Sequence, residues 1–156
     1  MIALDPRYRY LEKDLSDYLR IFDGNTDRAI AAEILEGEEI AVRVRTEEGC
    51  REFRFDAPGS GYTLLRRKRL VKRFAMAAVY RTLCGLTGRR FPYGAFTGIR
   101  PVKQYYQILE EGLDPEQFFV GFMDLEPKKF ALVRDIVSAQ RGIYSRDPGN
   151  LDIYAG

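Results

Sequence analysis

The sequence predicts an α+β fold, in which a small antiparallel sheet with an N-terminal helix is followed by an all-helical second half. Residues 8–22 repeat apolar side chains at helical spacing, and residues 40–55 alternate apolar and polar side chains around a short turn. From residue 64 to residue 141 the periodicity is helical. With 156 residues, 46% of them hydrophobic, the chain can bury a substantial core.

Residues 1–60 form the strand-rich α+β part of the prediction. The helix over 8–22 has one apolar face, made of Leu11, Leu15, Tyr18, Leu19 and Phe22. The segment 29–35, "AIAAEIL", fits either a strand or a short helix. Residues 40–55 predict a β-hairpin with one buried face, closed by the turn "TEEG".

Residues 61–145 form a helical part that is expected to pack on the first part as one compact domain. The loop 57–62 separates the two parts. Four helices are expected: Leu64 to Leu86, ended by Gly88; one that begins at Pro101 and stops at Gly112; one that begins at Asp114; and one from Pro127 to Arg141. Residues 146–156 read as a linker followed by the opening of a strand.

The amino-acid composition limits which catalytic and metal-binding sites can be expected. The chain has 25 Lys and Arg against 23 Asp and Glu, no histidine, and two cysteines, Cys50 and Cys84. The commonest general base and the commonest metal ligand are therefore missing, and we expect no catalytic residue, no metal site and no disulfide. No apolar run approaches the length of a membrane span, and the N-terminus lacks the apolar region of a signal peptide, so a cytoplasmic location is expected.

One basic cluster lies at the start of the long helix. It contains Arg66, Arg67, Lys68, Arg69, Lys72 and Arg73. Cations at a helix N-terminus oppose the helix dipole, and a bound anion would remove that conflict. Arg66, Arg69 and Arg73 are the candidate anion-binding residues. The alternative is a solvated face whose charge is cancelled by acidic neighbours.

A second candidate site is the loop "YGAFTGIRP", residues 93–101. Its candidate residues for substrate binding or for a domain interface are Thr97, Gly98, Arg100 and Lys103. Threonine offers a hydroxyl, glycine allows close backbone approach, and arginine offers a planar fork that suits a carboxylate. The alternative is a rigid turn in which Arg100 is paired with a buried carboxylate.

The stretch "PYGAFTGIRPVKQYYQILEEG" resembles the W-G-x-L-T-G-I-R-P-T-K signature of HemZ-type oxygen-independent coproporphyrinogen III oxidases, or coproporphyrinogen dehydrogenases. These are radical S-adenosylmethionine proteins of haem (porphyrin) biosynthesis. The likeness extends through "DLEPKKFALVRDIVSAQRGIY" to "LDIYAG". Tyr93 stands where the family has tryptophan, and Val102 where it usually has threonine.

The resemblance implies that this chain is the non-catalytic N-terminal domain of an oxidoreductase that converts coproporphyrinogen III to protoporphyrinogen IX. The family's [4Fe–4S] cluster and S-adenosylmethionine are held through a C-x3-C-x2-C motif, which is expected beyond Gly156 in the chain's own C-terminal radical SAM domain. Arg100 and Lys103 would then bind a propionate of the substrate or fix the domain interface. The other interpretation is a stand-alone α+β module that binds RNA or another polyanion through its basic helix. Because the six cations are not interleaved with aromatic residues, nucleic acid is the less expected partner.

Overall fold

The structure is a computed structural model that describes residues 2–23, 28–56, 63–96 and 99–140. It has two compact units, Met1–Ala95 and Phe96–Gly156. In the described residues, the first contains a four-stranded sheet and two α-helices, and the regular elements of the second are all helical. The predicted α+β class, with an N-terminal helix and a helical second half, is confirmed.

The sheet is built on the predicted hairpin. Its strands are β1 (Ile2–Leu4), β2 (Ile30–Glu36), β3 (Glu39–Thr46) and β4 (Gly49–Asp56), in the spatial order β1-β2-β3-β4. β2, β3 and β4 are antiparallel neighbours, whereas β1 runs parallel to β2 and makes the sheet mixed. The segment that fitted either a strand or a helix is β2. β1 was not expected, because three residues carry no measurable periodicity.

Two helices cover one face of the sheet. The predicted helix over 8–22 begins as a 3-10 turn, Pro6–Leu11, and continues as α1, Glu12–Asp23. The long helix, α2, spans Leu64–Thr87 and ends at Gly88, whose φ of 68° is the left-handed conformation that glycine adopts most easily. The apolar face of α1 is buried, and Phe74 of α2 stacks on Phe55 of β4 at 4.5 Å between ring centroids.

In the second unit, three helical segments enclose an aromatic core. They are α3 (Pro101–Glu110), a π-helical segment (Gln117–Phe122) and α4 (Pro127–Gln140). The helix expected from Asp114 is thus largely π-helical, and Asp114 Oδ1 accepts the backbone N–H of Gln117 at 2.6 Å. Phe119 is fully buried, and its ring packs against those of Phe96, Tyr105, Phe118 and Phe130.

Several sequence predictions fall outside the described residues. They concern the loop 57–62, Thr97 and Gly98, and the linker and strand opening after residue 145. Among the helices that are described, none has both the length and the apolar character needed to cross a membrane.

Candidate functional site

Basic side chains at the start of α2 contact acidic and aromatic side chains of other elements. Arg67 Nε lies 2.5 Å from Glu36 Oε2, and Lys72 Nζ lies 2.7 Å from Asp14 Oδ2. Lys68 Nζ lies 5.9 Å from the ring centroid of Tyr10. Two of these three cations are therefore paired with carboxylates of other elements in the first unit, and the third lies over an aromatic ring.

The three candidate anion-binding residues lie at different depths. Arg73 is only 5% exposed, Arg66 is half-buried and Arg69 is exposed. Arg66 and Arg73 both interact with other groups of the chain. Spacings of three and four residues place the three arginines on one side of α2, but that side passes from solvent into the core. Only Arg69 presents most of its side chain to an external anion.

Glu36, at the end of β2, joins the 3-10 turn to α2. Its Oε1 accepts the Tyr8 hydroxyl at 2.6 Å, and its Oε2 accepts Arg67 Nε. Burial acts to raise the pKa of Glu36, but the hydrogen bonds from Tyr8 and Arg67 outweigh it and hold that pKa below its usual value. Burial, with the bond to Glu36, raises the pKa of Tyr8 to about 12. Sequence reasoning missed this cluster, because Tyr8 and Glu36 are 28 residues apart and no local pattern links them.

In the second unit, Arg100 and Lys103 lie at the start of α3. Arg100 is the N-cap residue with φ −78° and ψ 102°, the extended backbone expected before Pro101. Both side chains are exposed, and neither hydrogen-bonds or ion-pairs with any residue in the described ranges. The structure therefore presents two cations, less than one helical turn apart, beside the N–H groups that begin α3.

This arrangement does not match the buried clamp considered for Arg100. A clamp would place the guanidinium against a buried carboxylate, whereas the side chain is exposed and has no such partner in the part of the chain that is described. The geometry instead suits an external anionic group or a facing protein surface. Thr97 and Gly98, the other two candidates in this loop, cannot be placed beside them.

The cysteines do not fit an iron–sulfur cluster. The chain has two cysteines, whereas the C-x3-C-x2-C motif supplies three thiolates. Cys50 is exposed on β4, and Cys84 is half-buried on α2. In the described ranges no three His, Cys, Asp or Glu residues come together as a group that could hold a metal ion.

Comparison with protein-family models, with curated proteins and with solved structures gives no match to this chain.

Proposed function

We propose that this chain is the non-catalytic N-terminal domain of a radical S-adenosylmethionine oxidoreductase that acts on coproporphyrinogen III. The observation that carries the proposal is the stretch Phe91–Tyr106, whose order of glycine, threonine, arginine, proline and lysine resembles the family signature. The start of α3 at Pro101, with Arg100 and Lys103 exposed beside it, is compatible with a recognition element.

In this proposal the chemistry belongs to a separate C-terminal radical SAM domain of the same protein. That domain would hold the [4Fe–4S] cluster and S-adenosylmethionine, since the two cysteines here do not suit a cluster. The reaction would be the oxidation of coproporphyrinogen III to protoporphyrinogen IX in the cytoplasm. The present chain would contribute binding and orientation.

Arg100 and Lys103 are the residues proposed to bind the substrate. Coproporphyrinogen carries four propionate groups, and an exposed arginine beside a helix N-terminus is complementary to a carboxylate in both charge and shape. Pro101 restricts the backbone of Arg100 and so limits the directions in which its side chain extends. If these residues instead face the catalytic domain, they would pair with its carboxylates by the same chemistry.

Arg100→Lys in the longer protein tests this assignment. Lysine keeps the charge but loses the two-point contact, so KM for coproporphyrinogen should rise by about tenfold, which corresponds to about 1–2 kcal/mol. Cleavage of S-adenosylmethionine should be unchanged. Arg20→Lys is the matched control, because Arg20 is also exposed but lies on α1 and belongs to neither candidate site; it should leave KM unaltered.

One result would contradict the role of Arg100, and another would contradict the proposed substrate. An unchanged KM with unchanged S-adenosylmethionine cleavage would remove Arg100 from substrate binding. A longer protein that consumes no coproporphyrinogen, although its cluster is intact, would refute the assignment of substrate.

The stand-alone polyanion-binding module receives less support from the geometry. Arg67 and Lys72 already contact carboxylates, and Arg73 is buried. These three residues are therefore less available for the phosphate contacts on which such binding depends.

A further inference from the structure

β4 lies at one edge of the four-stranded sheet. It is eight residues long, it pairs with β3 on one side, and no described strand pairs with its other side. Both edges of β3, its neighbour in the hairpin, are already paired, because β3 also pairs with β2. An edge of this length presents a row of backbone donors and acceptors to any strand that approaches it.

The hairpin decides which backbone groups face outward. Thr46 is opposite Gly49 across a two-residue turn, and in such hairpins the closing pair exchanges both hydrogen bonds. Alternation along the strand then directs the N–H and C=O groups of Gly49, Arg51, Phe53 and Phe55 toward β3. The groups of Cys50, Glu52, Arg54 and Asp56 point away from the sheet, and they are the ones available to a new strand.

The charges on these outward-bonding residues complement a second copy of the same strand. In an antiparallel pair centred on Phe53, Glu52 is opposite Arg54 of the partner subunit, and Arg54 is opposite Glu52 of the partner subunit. If the pair is instead centred on Glu52, each Glu52 is opposite its own copy. If it is centred on Arg54, each Arg54 is opposite its own copy. Like charges directly opposite each other are unfavourable, so charge selects the register centred on Phe53.

Exposure is consistent with this pairing. The side chain of Arg54 is 68% exposed, so its guanidinium is within reach of a second strand. The side chain of Glu52 is 28% exposed and contacts Arg43 and Arg54 of its own subunit, so a contact across the axis would be added to these two ion pairs. On the helix-covered face, α2 lies chiefly over β3, and Phe53 is only half-buried. Pairing through Phe53 would bring two such rings together, since residues in a non-hydrogen-bonded pair are about 4.5 Å apart at Cα.

We propose that the outer edge of β4 is a self-association surface, through which two copies of this chain join their sheets in antiparallel fashion with Phe53 on the two-fold axis. The result is a continuous eight-stranded sheet whose helices lie on one face. The Glu52 and Arg54 contacts across the axis give the dimer its register. This role is independent of any substrate that the chain binds.

Charge reversal tests the proposal in the 156-residue chain. Sedimentation velocity over a range of concentrations should show a monomer–dimer equilibrium for the natural sequence. Arg54→Glu and Glu52→Arg should each weaken dimerisation by about tenfold or more, because each places two like-charge pairs across the axis. An equimolar mixture of the two variants should form a heterodimer, since every cross-strand pair in it is again complementary. Arg45→Glu, an exposed charge on β3 rather than on the edge, is the matched control and should dimerise normally.

A disulfide reports the register directly. Phe53→Cys, combined with Cys50→Ser and Cys84→Ser, should yield a covalent dimer on mild oxidation, because the Cα separation at the axis lies within the range of about 4.4–6.8 Å that a disulfide spans. A chain that stays monomeric at every concentration overturns the proposal. So does a dimer that persists in Arg54→Glu, or a mixture of the two variants that fails to associate. Pairing of β4 with an unrelated strand would appear as a monomer in these experiments and would equally refute self-association.

Discussion

Loss of the Tyr8 hydroxyl should destabilise the first unit, because it removes a hydrogen bond to a charged carboxylate. Tyr8 is 6% exposed, its hydroxyl lies 2.6 Å from Glu36 Oε1, and the Glu36 side chain is 24% exposed. A hydrogen bond to a charged group contributes about 1.5–3 kcal/mol. Since the carboxylate is partly solvated and keeps its contact with Arg67, Tyr8→Phe should cost about 1.5 kcal/mol, at the lower end of this range.

The pH dependence provides a sharper test. The pKa of Glu36 in the folded protein is below its usual 4.5, so the ionised carboxylate contributes its full stability above about pH 4.5 and loses it as the pH falls through the folded value. The opposite sign holds for Tyr8, whose pKa of about 12 exceeds the usual 10.0. Its contribution is complete below pH 10 and disappears as the pH rises toward 12.

Urea unfolding followed by circular dichroism measures these effects for the natural chain, Tyr8→Phe, Glu36→Gln and the double variant. The two single losses should sum to more than the loss in the double variant at pH 7, and the difference should shrink as the pH falls through the lowered pKa of Glu36. Tyr10→Phe is the matched control: Tyr10 is 45% exposed, and its change should alter stability by less than about 0.5 kcal/mol. Equal losses for Tyr8→Phe and Tyr10→Phe, or losses that do not vary with pH, would refute the reasoning.

Three further outcomes are expected. Gly88→Ala should lower the free energy of unfolding in urea by about 1–2 kcal/mol, because alanine disfavours the positive φ of 68°. An added Cβ meets nothing within 4 Å, so the whole cost comes from the backbone conformation. Gly88→Asn should recover part of the loss, and an unchanged stability of Gly88→Ala would contradict the backbone argument. Phe119→Ala should cost about 3–5 kcal/mol, since the ring is fully buried among other aromatic rings, whereas Phe122→Ala, at a half-buried position, should cost less; the reverse order would place the core elsewhere. Filter binding should show no submicromolar affinity for RNA, because Arg67 and Lys72 are held by carboxylates; tight binding that weakens steeply with salt would favour the polyanion-binding alternative.

The sequence by itself determined the elements whose signals are local. Period-two alternation from Ile40 to Phe55 predicted the hairpin, and the structure pairs its strands from Glu39 opposite Asp56 to Thr46 opposite Gly49. Gly88 and Pro101 predicted the end of α2 and the start of α3, because a positive φ favours glycine and a helix tolerates proline in its first turn. These features depend on residues within a few positions of one another.

Only the tertiary structure decided the features that join distant parts of the chain. The segment 29–35 fitted two conformations until pairing with β1 and β3 made it a strand, since its alanines favour neither state strongly. The basic start of α2 looked like an anion site because its counter-charges, Asp14 and Glu36, are far away in sequence. The sequence left open whether Arg100 binds an external group or is paired with a buried carboxylate. The structure exposes its side chain, and the burial of a side chain depends on which elements pack around it and not on its neighbours along the chain.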